Sequence, residues 1–278
     1  MGDIPEFQSI CGLSEDSLAD WCSVLREKNS KRLAEADKDL GRFTDSRMVD
    51  FIFGICAKLQ VSTQVKFATV DLFDSFMRAH VNEWYSKVHE CQSIQNKEQV
   101  WQATETKISR QIPLRVVSCV QVLCKLHSSE TALTVEDLSD FLHSMGHGYT
   151  SAAIRQSELR LLDTVDYGIL QDTPLLYVET LLKIMDCQRQ LSTPNDLWER
   201  SVNVLDFLYL KREAVASQLA SIKGDYLLLA SAVIGTAAYC DGGDRSDEHI
   251  SILSEMTRLP EEDITLLREA IAREVMES

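Results

Sequence analysis

The sequence predicts an all-α protein of two tandem five-helix lobes preceded by an N-terminal helix. Three observations carry that prediction. Apolar residues recur at spacings of three and four along nearly all of the 278 residues. Gly (11) and Pro (5) are scarce, which argues against a turn-rich β fold and against disorder. Two segments, residues 111–127 and 226–239, are apolar almost all round, and each sits within the same order of flanking elements.

The first expected helix covers 14–39. Its stripe is Leu18, Trp21, Cys22, Leu25, Leu33 and Ala36, with Ser14 to start it and Gly41 to stop it. Its basic residues Arg26, Lys28, Lys31 and Arg32 are interleaved with Glu27, Glu35 and Asp37, the pattern of a solvated face. A second helix over 45–59 carries Met48, Phe51, Ile52, Ile55 and Leu59. A third starts near Ser62 and runs through Phe67, Val70, Phe73, Phe76 and Met77. Residues 82–110 are more polar, with Trp84, Tyr85, Val88, Val100 and Trp101 as scattered anchors, and read as a helical insertion or a helix extension. The apolar segment 111–127 has the pattern of a central, buried helix. Thr134-Val-Glu-Asp137 then has the form of a capping box, opening a helix that ends near Gly146. Thr150 opens another, with Ile154, Leu159, Leu161 and Leu162 expected inside.

After Asp172-Thr173-Pro174 the order repeats. Pro174 and Pro194 each suit the first turn of an amphipathic helix. A modest helix is expected over 211–222, followed by the second apolar helix from Tyr226 to Tyr239. An acidic loop follows, then a short helix, and Pro260-Glu-Glu-Asp263 starts the last one. The two apolar helices start about 112 residues apart, a spacing typical of tandem domains. A hydrophobic content of 45% is ample for two cores. The expected division is an N-terminal helix region (1–41), a first lobe (42–172, with the insertion 82–110) and a second lobe (173–278).

The formal charge of −15 is spread over both halves: 18 Lys+Arg against 25 Asp+Glu up to Thr173, and 10 against 18 beyond it. Neither half offers the basic footprint of a nucleic-acid binder. No segment reads as a secretion signal or a membrane span, and the eight cysteines are irregularly spaced without a C-x-x-C pair. Reduced thiols and a nuclear or cytoplasmic location are therefore expected. No phosphate-binding glycine loop and no nucleophile elbow occurs, so no catalytic residue is assigned and no enzymatic activity is expected. His143 and His147 stand four apart, but Gly146 between them ends the helix, so no metal site is assigned. The loop from Asp241 to Glu248 lacks calcium-ligand spacing, no cofactor is expected, and Cys119 and Cys124 read as inert core thiols.

The order of elements, together with particular residues, resembles a tandem cyclin box. Met48-Val-Asp-Phe51 resembles the segment closing the first-helix signature of cyclins. Val122-Leu-Cys-Lys125-Leu126 resembles the end of their central helix, and Ser157-Glu158-Leu159 with Val165-Asp-Tyr167 resembles elements of their fifth. Leu40-Gly-Arg-Phe43, Leu114-Arg-Val-Val-Ser-Cys-Val-Gln121 and the ten residues from Thr173 to Leu182 resemble the cyclin N-terminal domain-containing protein 1 family, over roughly residues 40–240. Members of that family regulate meiotic crossover formation.

The resemblance implies protein partners: a cyclin-dependent kinase, meiotic recombination factors, or both. Lys125, Glu158 and Tyr167 would face the kinase, with Tyr167 the aromatic of the fifth helix. Asp50 and Leu114 would be structural residues of the box. Two departures stand out. Asp45 occupies the position of a signature arginine, and the positions of a substrate-docking patch are Thr44, Arg47, Met48 and Phe51, half of them polar. These departures leave open a kinase-independent scaffold, or a general cyclin acting in the cell cycle or transcription.

Overall fold

The computed structural model of the chain describes residues 5, 14–34, 41–91, 96–127, 133–169, 172–188, 191–211, 224–240 and 246–277. The described residues form helices and no strand. Two compact units result: Asp39–Gln171, and Met1–Lys38 together with Asp172–Ser278. The expected helix over 211–222, the acidic stretch 241–245, and Glu35, Ala36, Asp37 and Leu40 lie outside the described residues.

The first unit contains α2 (Ser46–Lys58), α3 (Thr63–Glu90), α4 (Lys97–Arg110), α5 (Ile112–His127), α6 (Val135–Ser144) and α7 (Ser151–Thr164). Their starts are chemical. Asp45 accepts from the Met48 N–H (2.8 Å), Ser62 from Val65 (3.3 Å) and Thr150 from Ala153 (3.2 Å). Thr134 and Asp137 close the expected capping box reciprocally. Gly146, at φ 83, carries the left-handed turn that ends the region of α6.

The core helix α5 buries ten residues, Leu114 and Val116 to Cys124, and packs against α2, α3, α4, α6 and α7. The stretch 82–110 is both things the sequence allowed. α3 continues unbroken to Glu90, and α4 follows as a separate helix lying on it. The anchors behave unequally: Val88 is buried, whereas Trp84, Tyr85 and Val100 are exposed, and α4 buries no residue. Tyr85 holds the hairpin by stacking on His89 (3.9 Å between centroids) and meeting Trp101 edge-on (5.1 Å).

The second unit contains α1 (Glu15–Ala34), α8 (Pro174–Cys187), α9 (Pro194–Leu210), α10 (Tyr226–Tyr239), α11 (Ser246–Thr257) and α12 (Glu261–Met276). Its central helix α10 contacts α1, α8, α9, α11 and α12. Within α10 Ser231 donates to Leu227 O and Thr236 to Ala232 O, with Thr236 also reaching the Arg268 carbonyl of α12 (3.5 Å). Most of the remaining surface it offers its neighbours is apolar.

α1 presses Leu18, Cys22 and Leu25 onto this unit. The basic residues read as a solvated face are largely engaged instead. Arg26 donates to the Met256 carbonyl in the last turn of α11 (2.8 Å), where that helix presents unpaired acceptors. Lys28 pairs with Asp172 (2.8 Å), and Arg32 bonds the Tyr226 hydroxyl. Buried Asn29 donates to Asp225 (2.9 Å) and accepts from the Leu227 N–H (3.2 Å), so it completes the cap of α10. Lys31 follows expectation, in an exposed pair with Glu27, and Lys28 also stays on the exposed side.

Candidate protein-interaction site

The geometry of the candidate site follows from how α7 is registered on α5. Ser157, on α7, is buried and shares a hydrogen bond with Ser118 of α5 (2.7 Å between hydroxyl oxygens). Arg115, one turn earlier on α5, donates to Ser157 (2.8 Å) and to Gln111 (2.9 Å). A buried polar contact has few alternative partners, so it fixes axial register where apolar packing would tolerate sliding. With Ser157 turned inward, the next residue, Glu158, emerges at the rim of the helix pair.

There it meets Lys125. The ammonium in the last turn of α5 bonds Glu158 Oε1 directly, across 33 residues of sequence. Lys125 is 46% exposed and Glu158 17%. A pair that open contributes only about 0.2–1 kcal/mol to stability. Its cation at a helix C-terminus is favourable in its own right. The residue that follows each partner along its helix, Leu126 and Leu159, is a large apolar side chain left exposed. Leu159 was expected inside. The inward stripe of α7 is Ile154, Ser157 and Leu161, and residue 159 falls on the opposite side of the helical wheel.

Tyr167 is not on a helix. α7 ends at Thr164, and Asp166 and Tyr167 turn the chain with φ 50 and 55. Non-glycine residues rarely adopt that left-handed backbone, and two in succession are held by Tyr167 N–H donating to Leu162 O (2.9 Å) and Gly168 N–H to Val165 O (2.9 Å). The turn presents the ring outward, 63% exposed, with its hydroxyl donating to Asp163 (2.9 Å). That acidic neighbour raises the phenol pKa. The structure therefore joins Lys125 and Glu158 directly, while Tyr167 stands on a separate turn of the same unit.

Leu114 is buried on α5, and Asp50 is exposed on α2. The buried carboxylate of this unit is Asp74, which sequence reasoning missed. It accepts from the N–H groups of Gly41 (2.8 Å) and Phe43 (2.9 Å) and from Arg78 (3.0 Å), tying the entry loop to α3. The signal was present: Asp74 stands between Val70 and Met77 at the spacing of the apolar stripe, where an unpaired charge would be costly. Asp45, in the arginine position, is spent as the cap of α2. In the docking patch Thr44 is buried and the Arg47 side chain is 95% exposed.

Around the site the groups are tuned towards neutrality. His80 stacks on Phe76 (4.9 Å), and burial, reinforced by Arg115 and Arg160, pushes its pKa down to about 4. Burial raises the Cys56 thiol to about 12 and also lifts Cys119 and Cys124, so these thiols stay protonated. His143 lies in the last turn of α6 and His147 past the Gly146 turn. No group of three metal-capable side chains occurs among the described residues, and no described helix is long and apolar enough to cross a membrane.

No family model matches the sequence. The chain is 25% identical over 264 residues to human cyclin N-terminal domain-containing protein 1, covering 88% of this chain and 80% of that protein. The mouse protein of the same name gives 25% over 266 residues, with 89% and 80% covered. Among solved structures, a viral cyclin from herpesvirus saimiri superposes with a TM-score of 0.59 at 11% identity, covering 94% of this chain and 97% of the other. The expected tandem cyclin-box fold and the resemblance read from the sequence are thus both borne out: this is a cyclin-fold chain, homologous over most of its length to cyclin N-terminal domain-containing protein 1.

Proposed function

We propose that this protein is a non-catalytic, cyclin-like regulator of meiotic recombination that promotes crossover designation and maturation by docking a cyclin-dependent kinase, recombination factors, or both. The observation that carries the proposal is the Lys125–Glu158 pair, with the next residue along each helix, Leu126 and Leu159, exposed. The pair does little for the fold, yet Ser118, Ser157 and Arg115 hold its register. An arriving partner would cover the leucines, exclude water from the pair and strengthen it, and could draw its own backbone donors and acceptors into the network. Tyr167 adds an outward aromatic on a backbone turn that is costly to form. The meiotic role, and the nuclear location that goes with it, rest on the family resemblance read from the sequence; the relatives add the shared name cyclin N-terminal domain-containing protein 1.

One observation favours the kinase-independent scaffold as a second reading. Asp45 serves as a helix cap where the signature arginine of cyclins would stand, and the neighbouring docking patch is half polar.

Affinity purification from meiotic germ cells separates the two. A kinase recovered with the wild type and lost with Lys125→Ala/Glu158→Ala supports the first reading. Recombination factors recovered equally by both, without a kinase, establish the second. Germ cells lacking the protein should lose late crossover foci, and a normal count of foci would remove the meiotic role altogether.

A further inference from the structure

Two of the five prolines, Pro174 and Pro194, follow a threonine; the other three follow isoleucine or leucine, and no serine precedes a proline. A hydroxyl followed by proline is the minimal acceptor of proline-directed protein kinases. The proline ring fixes its own φ and biases the preceding residue to an extended conformation, the form such kinases grip. The chain therefore holds two acceptors of this kind, and both stand in the same local position, as the N-cap of a helix whose first residue is proline.

The fold treats them differently. Thr173 is 2% exposed, and its hydroxyl accepts from the Leu176 N–H at 3.3 Å. It lies at φ −115, ψ 159, the usual cap conformation, and is used as a cap. Thr193 lies at φ −137, ψ 72, outside the usual cap conformation, and its side chain makes no cap bond. Thr193 is exposed, as are Ser192, Asn195 and Asp196, with Leu191 and Pro194 half-buried. Before Thr193 the enzyme would meet Leu191 and Ser192, and after it the exposed first turn of α9, with Leu197 and Trp198 buried beyond.

We propose that Thr193 is a phosphorylation site for a proline-directed serine/threonine kinase, and that Thr173 is shielded from the same enzyme. In the transfer, Thr193 Oγ bonds the γ-phosphorus of ATP and the bond from that phosphorus to the bridging oxygen of ADP breaks. The hydroxyl proton passes to the kinase's base and on to solvent. The product places a near-dianion at the start of the 17-residue α9, whose leading N–H groups lack a side-chain cap. Asp196 in the same turn opposes it, so the modification redistributes charge at this surface more than it strengthens the helix.

The test uses the full-length folded chain, ATP and a purified mitogen-activated protein kinase of proline-directed specificity, with phosphopeptide mapping. Synthetic peptides spanning each Thr-Pro pair serve as the unfolded reference. Both peptides should accept phosphate, while the folded chain accepts it at Thr193 at least tenfold faster than at Thr173. Thr193→Val and Pro194→Ala should each remove that label. The proposal is overturned if the folded chain is modified at Thr173 as fast as at Thr193. It is equally overturned if the Thr193 peptide is not a substrate, or if Pro194→Ala is labelled like the wild type.

Discussion

The two central helices, α5 and α10, do the same architectural work with different chemistry. α10 is mostly apolar: Ser231 and Thr236 bond back to their own helix, Thr236 also reaches the Arg268 carbonyl of α12 (3.5 Å), and the Tyr226 hydroxyl bonds Arg32 of α1. α5 carries Ser118 and Arg115, which bond outward to α7, and it ends in Lys125, which bonds Glu158. Other polar clamps of the second unit run from α1, where Arg26, Asn29 and Arg32 reach α10 and α11, and from α12, where Arg268 donates to Asp247 of α11 (3.1 Å). Only a polar seam fixes the axial register that sets two particular charges side by side on a surface. That is why the candidate docking face is assigned to the first unit.

The largest effect should come from the buried carboxylate of that unit. Asp74→Ala leaves the Gly41 and Phe43 N–H groups and Arg78 without their acceptor, and should destabilise the protein by roughly 3–5 kcal/mol. A loss below about 1 kcal/mol in denaturant titration would mean that the entry loop is not held this way. On the side of the second unit, Asn29→Leu should cost about 2 kcal/mol, because it removes a bond to a charged group and one to a buried N–H. A helix α1 bound by apolar contact alone would leave the melting temperature unchanged.

His80 sharpens the comparison through pH. Its folded pKa of about 4 lies below the ordinary value of 6.5, so the unfolded chain takes up the proton first. The His80 contribution is full above pH 6.5, falls as the pH drops towards 4, and is constant below that. His80→Gln should flatten the stability profile between pH 6.5 and 5, where carboxylates contribute least; an unaltered slope contradicts the assignment. Tyr177 predicts a gain. Its hydroxyl is buried without a hydrogen-bond partner among the described residues, so Tyr177→Phe should stabilise by about 1 kcal/mol, and a loss would reveal a hidden bond.

Much of this was legible because helix starts are written in side-chain chemistry. Thr134 and Thr150 cap where they were expected to, Pro174 stands in the first turn of its helix as expected, and the two all-apolar stretches are the two central helices. The misses share a cause: they depend on what a side chain meets after folding. The basic residues of α1 looked solvated because their partners, Asp172, Tyr226 and the Met256 carbonyl, lie more than a hundred residues away. Tyr167 was placed on a helix by the resemblance, whereas the left-handed turn falls on two non-glycine residues, Asp166 and Tyr167, just before Gly168. Asp74 was hidden among apolar neighbours, and nothing local links Lys125 to Glu158. Only the resemblance singled out that pair.

The smallest expected effect on stability is also the most informative. Lys125→Ala, Glu158→Ala and the double variant should be measured in parallel by thermal melting and by titration against a purified cyclin-dependent kinase. A docking face predicts melting temperatures close to wild type, since the pair contributes under about 1 kcal/mol to the fold, with binding weakened at least tenfold in each single variant and non-additively in the double. Wild-type binding in all three variants, or unfolding in any of them, would contradict the assignment of this face to partner docking.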